Sequence, residues 1–344
     1  MRAHSSTRSD EPHAAAAPAA HGTGRIRRLA SHVWSSAWTL LALVALFWAC
    51  NVVLGRAVVG HVPPITLAFW RWTGAFLLTI GFAWPLLKRD WPILRRHWPM
   101  MLLLSATGIA SFNTMSYIGL QYTTALNALL LQSAMPLIIL LWAFALYGQR
   151  PSASQALGVL VSLLGVAVIA GQGSLERLMH LSVNPGDAWI FVAVVIYAVY
   201  TPLLRRRPQL HPFSFLVATM GIGSLMILPF FVWETAGGAR ITGGWTSYAA
   251  IAYTAVLPSF VAYLFFNRGV ELIGAARAGQ SVHLMPAFGI VLAVLFLGER
   301  FHLYHVAGIG LIAFGILLAS LRPAPEIGHA DPRTGGGGDR ANHA

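Results

Sequence analysis

Apolar residues recur along this chain in runs of about twenty, the length that crosses a hydrocarbon core as helix, and short polar breaks separate them. The first predicted set of spans is Trp38–Val59, Ile65–Leu87, Met100–Leu120, Ala125–Tyr147 and Ala153–Gly171. The second set is Ala188–Leu204, Phe213–Trp233, Ser247–Glu271, Ala278–Leu297 and Leu303–Leu321. The sets repeat. Moved back by 150 positions without a gap, Gly269, Ala278, Met285, Pro286, Gly298, Arg300, Gly308 and Gly315 fall on Gly119, Ala128, Met135, Pro136, Gly148, Arg150, Gly158 and Gly165. A register held across three apolar segments marks a duplication. The expected fold is all-α and integral to the membrane, with ten transmembrane helices as two five-helix repeats at 38–171 and 188–321. Around them lie a basic N-terminal tail (1–37), an extracytoplasmic linker (172–187) and a C-terminal tail (322–344), both tails reading as disordered.

Composition agrees with this class. Only 10% of residues are charged and mean hydropathy is +0.65. The first run has no small-residue cleavage site and reads as an uncleaved anchor. Cys50 is the single cysteine, so neither a disulfide framework nor a zinc cluster is expected, and no metal or other cofactor is called for. A formal charge of +12 raises the question of nucleic acid, but the arginines cluster in loops and line no amphipathic face.

Their placement gives orientation instead. With the N-terminus inside, the cytoplasm receives Arg25, Arg27, Arg28, Lys88, Arg89, Arg95, Arg96, Arg150, Arg205–Arg207, Arg268, Arg277 and Arg322. The other side receives Arg56, Arg177, Arg240 and Arg300. This is a positive-inside pattern with both termini cytoplasmic. Five spans per repeat is an odd number, so the second copy inserts upside down, and two inverted copies are a structural basis for alternating access. Trp34, Trp38, Trp91, Trp98, Trp189, Trp233 and Trp245 near span ends fit an interfacial belt against membrane lipid.

Polar side chains inside the spans are the candidates for chemistry, because each is costly in lipid without a partner. Asn113 and Tyr117 share a face of the third span, and Tyr263 and Asn267 share a face of the eighth with the residue types exchanged. Trp48 and Asn51 match Tyr197 and Tyr200 at an offset of 149. Aromatic rings with hydrogen-bonding tips suit a cavity for a small polar or amphipathic solute; interhelical bonds and packing wedges are the other reading of each residue. Pro136 and Pro286 are expected as mid-span kinks that free the carbonyls of Gln132 and Val282 beside Gln132, Gln280 and His283, either toward a substrate or as purely structural bends. Glycines seven apart, Gly158 with Gly165 and Gly308 with Gly315, mark the fifth and tenth spans as closely packed props. Arg71 is the basic residue within a span, there to bind an anionic group, to snorkel or to pair with a helix C-terminus. No Asp or Glu is expected deep in any span, with Asp187, Glu271 and Glu299 at the ends, so a carboxylate proton relay has little support; His283 is the deep residue of a type whose ordinary pKa lies near neutrality, and a lone His is more often a hydrogen-bonded packing residue.

These residues resemble a family. LPSFVAYLFFNRGVELIGA, the LMP before an apolar run and LGERFHLYHVAGIGLIAFGI are similar to the second repeat of EamA-type carriers of the drug/metabolite transporter superfamily. WACNVVLGR, Arg71 in FWRW and the stretch from Tyr117 to Gly165 resemble the first repeat, so the likeness covers Trp38 to Leu321. It implies ten helices, cytoplasmic termini, a central cavity from helices one to four and six to nine, and outward movement of amino acids, nucleosides or related metabolites in bacteria. One departure stands out: many relatives have Gly-Glu where this chain has Gly148-Gln149, and the acid survives only as Glu299. The expected function is a secondary or facilitative exporter of a small metabolite at the inner membrane, with a homodimer left open. A receptor or assembly subunit without flux is the alternative. An enzyme is less supported, since Glu299, His302 and His305 drift around a helix and no Walker loop, GxSxG or HExxH is present.

Overall fold

Apolar runs in a membrane fold as helices because each backbone N–H and C=O must find its partner within the segment. The computed structural model describes residues 34–174, 176, 184–274, 278, 281 and 284–320, and the regular elements among them are all helical. We number them α1 (Ala37–Ala57), α2 (Pro64–Arg96), α3 (Trp98–Gly119), α4 (Ala125–Gln132), α5 (Met135–Tyr147) and α6 (Ala153–Ala170). Then follow α7 (Pro185–Leu203), α8 (Pro212–Ala236), α9 (Trp245–Ile273), α10 (Leu284–Leu297) and α11 (Leu303–Ser320). Seven of these (α1, α2, α3, α6, α7, α8 and α9) are long and apolar enough to cross a membrane, and α4 with α5 makes an eighth as a pair bent by 40°. The α10 helix and the Leu303–Leu318 part of α11 are apolar but shorter. The protein is a multi-pass membrane protein.

Several boundaries differ from the sequence expectation. The fourth predicted span is two helices with a break at Ser133 and Ala134, and Pro136 opens α5 as its second residue. There its missing N–H removes no intrahelical bond, so it starts a helix where a mid-helix kink was expected. Pro286 is likewise the third residue of α10, and Val282 lies outside the described residues. The α2 helix runs nine residues past Leu87, through a charged stretch that carries Lys88, Arg89, Asp90, Arg95 and Arg96. Its 33 residues reach about 50 Å, longer than a hydrocarbon core of about 30 Å, so the charged end projects beyond it. The α7 helix begins at Pro185, three residues ahead of the predicted start, with Asn184 as its cap.

Structure repeats at the same interval as sequence. Residues Ala106–Ser111 of α3 and Val256–Val261 of α9 both wind as π-helix, 150 positions apart at each end. The bounds of α6 and α11 also differ by 150. Gly148 and Gly298, which follow α5 and α10, both take the left-handed conformation, at φ +65° and +64°. The first helix of each half packs on the third and fourth spans of the other, α1 on α9 and α10, α7 on α3 and α5.

The α6 and α11 helices form one antiparallel seam. A Cβ on Gly165 would lie 2.7 Å from the Gly308 carbonyl, and one on Gly315 would strike the Gly158 carbonyl. Only glycine lets these backbones approach so closely, and the pairing exchanges equivalent positions of the two halves. Acids tie the halves at helix starts. The Glu234 carboxylate near the end of α8 accepts the N–H groups of Ile65 (3.1 Å) and Thr66 (2.7 Å) and the Thr66 hydroxyl (2.7 Å) at the start of α2. Asp90 near the end of α2 accepts the His211 N–H at 2.9 Å, next to the start of α8. Each meets donors that a helix start leaves unsatisfied.

Candidate functional site

Arg71 of α2 is 4% exposed and gathers side chains from three other helices. Its Nε donates to Ser259 Oγ at 2.8 Å, within the π turn of α9. Its Nη1 donates to Asn51 Oδ1 on α1 (2.8 Å), and to Asn113 Oδ1 (2.8 Å) and the Tyr117 hydroxyl (2.9 Å) on α3. Tyr117 donates its own hydrogen to Asn51 Oδ1 at 2.7 Å, and Ser259 donates to the Thr254 carbonyl at 2.9 Å. The local reason is simple: Asn113 and Tyr117 stand one turn apart just after the α3 π turn, so both reach the same guanidinium. π turns recur at functional sites because the wider turn re-aims the side chains that follow it.

A ring cluster adjoins this hub. Trp48 donates its indole N–H to the Pro258 carbonyl at 3.1 Å, and its ring meets Tyr263 edge-on at 6.3 Å and Phe266 at 5.9 Å. Tyr197 packs on Tyr200 at 5.4 Å and on Phe112, the neighbour of Asn113, at 4.6 Å. Trp48, Tyr197, Tyr200 and Tyr263 are all half-buried. Such rings offer apolar faces together with polar tips.

The structure therefore joins Asn51, Arg71, Asn113 and Tyr117 in one network, and joins Trp48 to Tyr263 and Tyr197 to Tyr200 as ring pairs. It does not make the two halves alike. The side chain of Asn267, the expected match of Tyr117, is half-buried and hydrogen-bonds to no described group. Gln132 closes α4 beside the break and likewise joins no bond of the network. Gln280 and His283 lie outside the described residues. The α8 helix carries no Lys or Arg, so nothing there answers Arg71.

Sequence reasoning missed two things. Ser259 gave little signal within its apolar run, although it stands four residues before Tyr263. The second miss is Asp187. The sequence places it at a span end and gives no sign of burial, yet in the first turn of α7 it is only 1% exposed. It accepts the Thr123 hydroxyl and the Asn127 amide, the latter at 3.3 and 3.4 Å. His305 Nδ1 accepts the His302 N–H at 2.9 Å, which leaves Nε2 to carry the proton toward Asn127 Oδ1 at 3.0 Å. Glu299 accepts the N–H groups of Ala125 and Leu126, both at 2.8 Å, and so caps α4. Glu299 and His305 thus serve separate structural bonds, and no group of three possible metal ligands occurs among the described residues. The seven belt tryptophans are all exposed, from 39% at Trp189 to 80% at Trp245.

With this geometry in hand, comparison with known proteins decides the family. The profile described as the EamA-like transporter family matches twice, over residues 35–171 and 184–321. The chain belongs to that family. Relatives of this EamA-like chain include the uncharacterized transporter YyaM of Bacillus subtilis, 29% identical over 82% of this chain and 93% of the relative. An uncharacterized transporter of Archaeoglobus fulgidus is 26% identical over 82% of this chain and 96% of its own length. A probable terminal-alkyne amino-acid exporter of Streptantibioticus cattleyicolor is 28% identical over 86% of this chain and 95% of that protein. A solved crystal structure shares the fold at a TM-score of 0.55, covering 83% of this chain and 98% of its own at 18% identity. These likenesses point to a transporter rather than an enzyme.

Proposed function

We propose that the protein is a secondary or facilitative transporter that exports a small metabolite across the inner membrane by alternating access. Its ten spans form two inverted five-helix repeats at 38–171 and 188–321, with both termini cytoplasmic. Support for inversion comes from the antiparallel α6–α11 seam, in which Gly158 meets Gly315 and Gly165 meets Gly308. Support for orientation comes from the basic loops, and exposed side chains such as Leu77, Phe82, Leu160, Phe296 and Leu317 supply the lipid-facing surface.

The observation that carries the reading is the Arg71 hub. A cation buried among helices, bonded to polar side chains of α1, α3 and α9, is poor construction for a passive membrane anchor. It suits a solute site between the halves, with Trp48, Tyr197, Tyr200 and Tyr263 as its aromatic lining. The amino-acid exporter among the relatives makes amino acids and related compounds the first solutes to examine.

The test compares the medium of cells overproducing the parent chain, cells carrying Arg71→Met at equal membrane levels, and an empty control. One compound class should accumulate outside with the parent alone. Three matching profiles would remove export of native metabolites as the function.

A further inference from the structure

We infer that the solute bound at Arg71 carries an oxyanion, a carboxylate or phosphate-type group, which engages the Nη2 side of the guanidinium, where no described residue hydrogen-bonds. This rests on the transport reading above and names its substrate class.

Charge is the first argument. Arginine stays protonated in proteins, and a charge taken out of water needs a counter-charge or a full set of hydrogen bonds. The bonds that Arg71 makes go to Asn51, Asn113, Tyr117 and Ser259, all of them neutral. The acids among the described residues are all placed elsewhere. Asp90 meets Arg89 and the His211 N–H, Glu271 meets Arg268, and Glu234 and Glu299 cap α2 and α4. Asp187 is held by Thr123 and Asn127, and Glu176 is exposed. Arg71 therefore has no counter-ion among the described residues. Arg56 makes the contrast: its Nη1 ends on the Leu120 carbonyl at 2.7 Å, at the negative end of α3.

Valence is the second. Nη1 has two hydrogens and three acceptors within 2.9 Å, while Nη2, with two hydrogens of its own, donates to no described residue. One acceptor at Nη1 is in surplus. An oxyanion presenting two oxygens fits the Nη1–Nη2 edge in the bidentate manner that suits guanidinium, taking the place of the surplus acceptor. Trp48 and Tyr263, both half-buried, then face the rest of the molecule.

The experiment identifies the compounds excreted by cells overproducing the full chain, then measures counterflow in liposomes with the excreted compound and with its amide or ester. The expected solute bears a carboxylate or phosphate, and the neutral analogue exchanges about 10- to 100-fold less, the weight of a charge-assisted pair. Arg71→Gln is expected to erase that difference between acid and neutral analogue. An excreted solute without an anionic group overturns the inference while leaving transport standing. So does equal exchange of acid and amide, or discrimination that survives Arg71→Gln. If nothing is excreted or exchanged, the transport reading itself fails and this inference falls with it.

Discussion

At two matched pairs of positions the first half of the chain places a hydrogen-bonding group and the second half a ring. Asn51 on α1 bonds to Arg71, whereas Tyr200, 149 positions later on α7, packs on Tyr197. Asn113 on α3 bonds to Arg71, whereas Tyr263, 150 positions later on α9, meets Trp48. The scaffold beneath them has not diverged in the same way: both π turns, both left-handed glycines and the α6–α11 seam keep the common interval. Scaffold and lining are under different constraints. Close packing tolerates little change in volume, while a lining residue answers only to what it touches. On the proposed site, the first half gives Arg71 most of its hydrogen bonds and the second half most of the rings, with Ser259 and Trp48 as the crossovers.

Three measurements would break or sharpen that contrast. The largest effect separates Asn113 from Asn267, which sequence spacing alone treats as equivalent. Asn113→Leu takes a polar side chain away from Arg71, puts an apolar one beside its buried charge, and should lower flux at least 10-fold, whereas Asn267→Leu, which removes no observed bond, should lower it less than about 3-fold. Equal losses measured at matched membrane levels would show that the halves contribute alike. Next come the reciprocal acids. Glu234→Ala leaves three donors at the α2 start unmet and should cost about 1–2 kcal/mol, against about 0.5–1 kcal/mol for Asp90→Ala, which loses the bond to His211; denaturation of the purified protein in detergent orders the two. The smallest effect is expected from Glu299→Gln, which keeps one acceptor at the α4 start and removes its charge, for about 0.3–1 kcal/mol. A melting temperature unchanged by that substitution would argue that the acid's charge does nothing there.

Much of the fold was legible because lipid simplifies the code: apolar runs of sufficient length become helices, and the 150-residue interval in sequence reappears in π turns and helix bounds. Breaks were less legible. The run Ala125–Tyr147 stays apolar through Ser133 and Ala134, so hydropathy does not register the 40° bend, and Pro136 alone hinted at it. Past Leu87, charge suggested an end, but Lys and Arg are good helix formers and α2 continues. In the site, Asn51, Arg71, Asn113 and Tyr117 were singled out from their polarity in apolar surroundings. Ser259 was not, because a serine within a membrane helix can bond to its own backbone and carries little information alone. Nor does helical spacing tell which of two asparagines will find an arginine 42 residues away in sequence.

Under the proposed alternating access, Arg71 also gives the protein an electrical property. Moving one elementary charge through a potential of 100 mV amounts to about 2.3 kcal/mol, so whatever fraction of the field Arg71 crosses as the unloaded protein reorients makes that step sensitive to voltage. With a monoanion bound, the same step carries no net charge at the site. In that proposed cycle, membrane potential, and not the solute gradient alone, would set how quickly the empty binding face returns.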